Sequence, residues 1–405
     1  MSAFSASESP PAGPPPAGAL PRLLLYATSA GFGGSGLHLT SFQSALAAYE
    51  AGILQRAIGY SNAQQAIPRN KIRSLAAHPV RLLANLGSER YYGAKKRYVD
   101  WIASRELARG GYDCFHGWSG DCLRAFLVAR QKNVPTLLEI PTWHRNKGHI
   151  KPFETRSERE LRARRGPGAW LDRLPVSRQR TLLEYELADL ILVPSAFSGE
   201  TFLAAGVPAE KIYYVGRGAD VRRFVPAESP PAHFRAVFAG ALIKRKGVHH
   251  LLKAWHALAL KDAELCLLGS VHPEIEPYLH ELSGPSVKVL GFSADLPKHF
   301  KQASLFIFPS ECEGWAKSTL EAAAAGLPMI ATRESGEGVV DGVTGFLVPA
   351  NDPHALAEKI RYAYENPHLL SAMGQAARER ILQNFTWEHF RLRLLHAYEK
   401  ARQLR

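Results

Sequence analysis

The feature that most restricts how this chain can fold is an alternation that runs through it twice. Short apolar runs of strand length are followed repeatedly by stretches with helical spacing. "RLLLYAT" (22–28) leads into a segment with Leu39, Phe42, Leu46 and Tyr49 on one face, stopped near Gly52. "TLLEI" (136–140) and "LILVP" (190–194) are further buried runs. The second is followed by Ser195 and Ser198 as candidate helix caps and closed by Gly206-Val207-Pro208. Parallel strands cannot be joined by a tight turn, so strand-helix alternation predicts parallel sheets with crossover helices. The texture changes at 216–233, "GRGADVRRFVPAESPPAH", which reads as an inter-domain linker, and then the pattern restarts. "AVFAGAL", "ELCLLG", "VKVLGF", "LFIFPS", "PMIAT" and "GFLVP" are the strands of the second half. "GVHHLLKAWHALAL" and "DPHALAEKIRYAYENP" are helices among them. A chain of 405 residues is long for one core and suits two domains. Two open α/β halves imply a cleft faced by the C-terminal ends of their strands, which is where such sheets bind ligands.

Composition narrows the class. Apolar residues make up 46% and charged residues 21%, a soluble globular balance with no run long enough to span a bilayer and no apolar signal segment at the N-terminus. The four cysteines, Cys114, Cys122, Cys266 and Cys312, are scattered without a C-x-x-C pair. They read as reduced thiols of a cytoplasmic protein, not as a disulfide frame or a zinc site. Residues 8–19, "ESPPAGPPPAGA", are Pro-rich and read as a disordered leader. The net charge of +13 favours anionic partners, and 156–180 alone carries eight arginines. That segment is either a solvated surface or a docking face for an anionic or lipid-linked acceptor, with peripheral membrane contact. Nucleic acid is disfavoured, because no aromatic-interleaved basic strand, zinc-finger or RNP pattern is present.

"TSAGFGGSGLH" (28–38) sets Gly31, Gly33 and Gly36 in the order of a dinucleotide fingerprint. Such a site also needs an acid about 20 residues on to hold a ribose. "LQRAIGYSN" (54–62) offers none, and Glu50 comes too early. What remains is a loop whose backbone amides can approach a phosphate or sugar at a helix start; a plain tight turn is the alternative. The stretch 309–328, "PSECEGWAKSTLEAAAAGLP", is more specific. Glu313 and Glu321 stand seven residues apart across a strand-to-helix junction, with the amides near Ala316, Lys317 and Ser318 at the positive end of the helix. A diphosphate flanked by hydroxyl-bearing groups suits that arrangement. The competing reading is a capping box, Ser318-x-x-Glu321, in which Glu321 only closes the helix start.

"EGWAKSTLEAAAAGLPMIAT…GVVDGVTGFLVPANDPHALAEKI" resembles the C-terminal signature of the family-4-type retaining glycosyltransferases (group 1 glycosyltransferases) of the GT-B fold: Glu-x7-Glu, an Ala-Gly-x-Pro segment and a D-G-x-T-G-F-L-V strand. "FAGALIKRKGVHHLLKAW" is similar to that family's first C-domain strand and Lys-Gly loop. "ADLILVPSAFSGETFLAAGVPAEKIYYVGRGADVRRF" is similar to its last N-domain strand and hinge, and "FTWEHFRLRLLHAYEKA" to its closing helix. The likeness covers most of 22–400 and is weakest at 55–110 and 145–180. It implies an α/β fold of two Rossmann-like domains facing across a cleft. The parts are a leader (1–20), an acceptor domain (21–215), a linker (216–233), a nucleotide-sugar domain (234–385) and a closing helix (386–405) that returns to the first domain.

By that resemblance Glu313 bonds the donor sugar, Glu321 the ribose and Lys246 the diphosphate. Gly314, Trp315, Ala316, Lys317 and Ser318 line the donor, and Gly33 and Gly34 face it across the cleft. His116 falls at a histidine position of the cleft, so His116, Lys246 and Glu313 are the expected catalytic residues; a structural histidine is the alternative for His116. Trp118 stands where many members have a second histidine. Trp118 and His144 are acceptor candidates, a core tryptophan being the commoner alternative for Trp118, and Glu337 fits an acidic position before the D-G turn, with a purely structural role the alternative. Two departures stand out: Ala241 replaces an arginine, with Arg245 a candidate substitute, and Ala316-Lys317 replaces glycine and an apolar residue. The implied reaction is retaining transfer from a nucleotide-diphosphate sugar to an acceptor hydroxyl, with no cofactor and no divalent metal. A nucleotide-sugar epimerase and a non-catalytic nucleotide-sugar-binding homologue are the rivals.

Overall fold

The computed structural model describes residues 9–76, 80, 88–145, 176–229 and 231–404. Two parallel sheets organise the chain. The first has seven strands: β1 (Leu24–Ala27), β2 (Leu54–Gly59), β3 (Ile72–Ser74), β4 (Cys114–Trp118), β5 (Thr136–Glu139), β6 (Leu190–Val193) and β7 (Ile212–Tyr214), in the order 3-2-1-4-5-6-7. The second has six: β8 (Phe234–Ala239), β9 (Ala263–Leu268), β10 (Val287–Gly291), β11 (Leu305–Phe308), β12 (Met329–Thr332) and β13 (Gly345–Val348), in the order 10-9-8-11-12-13. Strand order reverses between β1 and β4 and again between β8 and β11. These switch points splay the loops that follow and open a crevice there.

Central strands are buried on both faces, which is why they read as unbroken apolar runs. In β1, Leu24 and Tyr26 enter one core and Leu25 and Ala27 the other. The helices that cover the N-terminal sheet include α1 (Leu37–Glu50), α2 (Ser88–Arg109), α3 (Leu123–Gln131), α4 (Arg178–Leu187) and α5 (Ala196–Leu203). Ser195 caps α5, its Oγ accepting from the Ser198 amide at 3.1 Å, whereas Ser198 itself lies inside the helix. The deepest face of α1 is Thr40, Ser41, Ser44, Ala45, Ala47 and Ala48, while Leu39, Phe42, Leu46 and Tyr49 are only half covered. Small residues win that face because α1 also packs closely on the last helix of the chain.

The second domain adds α6 (Val248–Leu258), α7 (Glu276–Leu282), α8 (Leu296–Lys301), α9 (Lys317–Ala324), α10 (Pro353–Glu365) and α11 (Pro367–Asn384). The chain then returns as α12 (Trp387–Gln403), started by a reciprocal cap between Thr386 and His389. Phe390, Leu394, Ala397, Tyr398 and Ala401 of α12 complete the N-terminal core. Burying each of its larger side chains contributes about 1.5–3 kcal/mol to holding this helix away from the domain it left. Residues 9–20, read as a disordered leader, instead run along α12, with His396 Nε2 2.8 Å from the Gly13 carbonyl and Arg402 donating to the Leu20 carbonyl at 2.8 Å. The two crossings between domains touch: the Ala219 amide donates to the Phe385 carbonyl at 2.8 Å, and Gly218 lies so close to Trp387 that a Cβ would fall 2.7 Å from its ring. Among the described residues no helix is long and apolar enough to cross a membrane.

Candidate active site

A cleft of about 840 Å³ opens between the domains at the switch points. Gly34, Ser35 and Gly36 form one wall. Their positive φ angles at Gly34 (+87°) and Gly36 (+59°) let the loop turn tightly into α1 without a Cβ penalty. Gly33 also has positive φ, but its amide donates to the His38 carbonyl at 3.3 Å, so it supports the loop and does not line the cleft.

The opposite wall comes from the β8 and β11 loops. Lys246 ends a short 3₁₀ turn, and Gly247 follows in the left-handed region with φ +69°, close enough to the Pro309 carbonyl that any Cβ would collide. This contact brings Lys246 Nζ to 3.6 Å from Glu313 Oε1. Arg245 Nη1 also reaches Glu313 Oε1, at 3.2 Å, and bonds the Cys312 carbonyl. Those bonds turn Arg245 away from the cleft, where a substitute for the arginine absent at Ala241 would have to point. The cations that do line the cleft are Lys246, Lys317, Arg217 and Arg223.

Helix α9 starts at Lys317 with Ala316 as its cap residue and no side-chain cap. Ser318 is therefore inside the first turn, and the capping-box reading of Glu321 does not describe this helix. Glu321 instead pairs with Lys317 at 2.7 Å. Burial raises the Glu321 pKa, and Lys317 pulls it back down. The Ala316 amide is taken by the Ser335 carbonyl at 2.9 Å, which leaves the helix start at Lys317 and Ser318 facing the cleft. Trp315 and Trp387 line the same space. Both indole N–H groups are buried without a hydrogen-bond partner among the described residues.

Gly314 sits at the domain contact: its carbonyl accepts from Ser195 Oγ at 2.6 Å, and a Cβ there would lie 2.2 Å from the Pro141 carbonyl oxygen. Glu337 crosses the same boundary, accepting from the Ala196 amide at the start of α5 and from Tyr214 OH (2.7 Å). A carboxylate at a helix N-terminus is favourable, so Glu337 holds the domains together electrostatically.

The N-terminal candidates lie elsewhere. His116 is in the middle of β4, fully buried, with Nδ1 2.9 Å from Tyr398 OH and Nε2 3.4 Å from Glu139 Oε2. Glu139 in turn accepts from Ser44 Oγ (3.1 Å) and from Arg217 Nη1 (3.0 Å), and Arg217 also donates to the Ile140 carbonyl. Trp118 donates to Tyr26 OH at 2.7 Å inside the core. The His144 ring packs between Tyr185 and Phe202, centroids 5.0 and 4.9 Å away. None of the three lines the cleft, because each side chain points into a layer of the fold and not off the sheet end. The basic segment 156–180 falls outside the described residues up to 175. Sequence reasoning missed Arg217, Arg223 and Trp387. The cations were in plain view in "GRGADVRRF", read only as linker.

This arrangement, two Rossmann-like parallel sheets with a cleft between their switch points, is the GT-B fold. Solved structures of that shape cover nearly all of the chain. Sucrose-phosphate synthase from Thermosynechococcus elongatus superposes with a TM-score of 0.68 at 20% identity over 93% of this chain and 98% of that one. Anabaena Alr3699/HepE in complex with UDP-glucose gives 0.63 at 20% identity over 92% and 98%. At these identities the likeness is one of fold. Residues 233–366 match the family model of the Glycosyl transferases group 1. Among relatives, the capsular polysaccharide biosynthesis glycosyltransferase CapM of Staphylococcus aureus is 29% identical over 163 residues, 37% of this chain and 43% of that protein. The GDP-mannose-dependent alpha-(1-6)-phosphatidylinositol monomannoside mannosyltransferase of Mycolicibacterium smegmatis is 28% identical over 263 residues, 57% of this chain and 68% of its own length. The chain thus spans under half of the first relative and about two thirds of the second.

Proposed function

We propose that the protein is a retaining glycosyltransferase that moves a sugar from a nucleotide-diphosphate donor to an acceptor hydroxyl in glycan or glycolipid synthesis. The observation that carries this reading is the convergence of Lys246, Lys317, Arg217 and Arg223 with Glu313 and Glu321 on one inter-domain cleft. A departing nucleoside diphosphate gathers negative charge, and fixed cations aimed at it lower the barrier. Lys246 lies 3.6 Å from Glu313 and would exchange that carboxylate for a phosphate oxygen. Glu313 is then released toward the sugar hydroxyls, and Glu321 takes the ribose. The acceptor oxygen bonds the anomeric carbon on the face from which the diphosphate leaves. The carbon–phosphate-oxygen bond breaks, and the freed phosphate oxygen takes the acceptor proton. No divalent ion is needed for this step, because side-chain cations supply the charge. A relative is named as GDP-mannose-dependent and a structural neighbour was solved in complex with UDP-glucose, so the donor base is the first question. The reading includes action in the cytoplasm, with an anionic or lipid-linked acceptor reached through 156–180.

A thermal-shift screen against UDP-, GDP-, ADP- and TDP-sugars, with free nucleotides as controls, tests it. One nucleotide class should raise the melting temperature, and Glu321→Ala and Lys246→Ala should abolish the shift. No shift with any donor would turn the reading toward a non-catalytic homologue.

A further inference from the structure

Behind the donor wall, two histidines and a glutamate meet outside the cleft. His249 and His250 occupy the first turn of α6, and Glu311 comes from the β11–α9 loop. One ligating atom of each lies within 4.8 Å of the other two. The imidazole centroids are 3.8 Å apart. Both Nδ1 atoms are buried without a hydrogen-bond partner among the described residues. His250 Nε2 stands 3.1 Å from Asn351 Oδ1, so Nε2 carries the proton and Nδ1 presents a bare lone pair.

We propose that His249, His250 and Glu311 form a binding site for a divalent transition metal, zinc foremost. Two imidazoles and one carboxylate are a three-ligand zinc set with a fourth position open to water. Tetrahedral bonds of about 2.0–2.1 Å put ligand atoms about 3.3 Å from one another, within reach of side-chain rotation from the spacing seen here. Asn351 supplies the outer hydrogen bond that fixes a ligating imidazole. Burial, reinforced by the neighbouring ring and lysines, lowers the pKa of His249 to about 4, and burial lowers that of His250 as well. The charges facing the pair are mixed. Lys244 and Lys253 lie over the Tyr278 ring, 5.2 and 5.7 Å from its centroid, while Glu274, Asp352 and Glu311 offer negative charge.

The ion would tie the start of α6, two residues beyond Lys246, to the loop that carries Glu313. It touches neither donor nor acceptor. It is a brace for the donor wall, distinct from the charge stabilisation assigned to the lysines and arginines.

The full chain, stripped with chelator, is titrated with Zn²⁺ by calorimetry and with Co²⁺ by visible absorption. One tight equivalent is expected, with the absorption of a low-coordinate Co²⁺ site and a rise in melting temperature. Glu311→Gln and the double variant His249→Asn/His250→Asn should weaken binding at least tenfold and lose the thermal rise. Asn351→Ala, which keeps every ligand, should weaken it about tenfold. A wild-type chain that takes up no ion overturns the proposal, as does unchanged affinity in Glu311→Gln and the double variant, which assigns the ion to other histidines. The readout is metal binding, so it stands apart from failure of the donor screen.

Discussion

The two sheet ends that face the cleft are built from the same kind of strand but treat their charges in opposite ways. On the C-terminal side, Lys246 and Glu313 on loops and Lys317 and Glu321 in the first turns of α9 sit past the strand ends and line the cleft. On the N-terminal side, His116 and Glu139 lie within strands and close on one another, on Tyr398 and on Arg217. Arg217 is the one member of that buried set that also lines the cleft. An ionisable residue past a strand's end is available to a ligand, whereas one inside the strand belongs to the packing. The first kind should govern turnover with little effect on stability, and the second the reverse.

Arg217→Met attacks the buried side most directly. It strands the Glu139 carboxylate, and unfolding in urea should show a loss of about 3–5 kcal/mol, largely restored by adding Glu139→Gln. A loss below about 1 kcal/mol would erase the distinction. Glu184, another buried acid of the N-terminal domain, sharpens the comparison through pH. Burial raises its pKa to about 7, against the Gly120 and Cys122 amides that bond it. Between the ordinary carboxylate value and about 7 the unfolded chain has released this proton and the folded chain still holds it. Its contribution is therefore complete at low pH and lost as pH rises to 7, roughly 3 kcal/mol in all. Stability curves of Glu184→Gln should lack that slope. On the cleft side, Lys246→Ala should cut turnover about 10²-fold while unfolding changes by less than about 1 kcal/mol, measured on one preparation. Glu337→Gln is the mildest. It weakens the boundary contact with α5 and should raise the donor KM several-fold, leaving kcat close to wild type.

What could be read in advance follows the same division. The fully buried strands were legible because nothing but a core explains runs such as "LILV" and "LFIF". β2 was not, since Gln55 and Arg56 interrupt its apolar run, and β7 has only three residues. Glu313 and Glu321 were legible from their spacing across a strand-to-helix junction and Lys246 only from the resemblance; all three line the cleft. For His116 and Trp118 the motif names a position, but strand pleating and the return of α12 decide what they face. Arg217, Arg223 and Trp387 enter the cleft only because the chain crosses between domains twice, which no local pattern encodes. The α9 start shows the opposite limit: Ser318-x-x-Glu321 satisfies a local rule, and a helix beginning two residues earlier makes the rule irrelevant.

The paired crossings carry a mechanical consequence. Because 216–219 and 385–387 run side by side and bond each other, the domains are joined through a paired axle instead of a single tether. Trp387 is set in that axle and also faces the cleft, with Gly218 tight against its ring. Whatever fills the space between the domains therefore meets the bearing as well as the jaws, and the indole there would report any turning of one domain against the other.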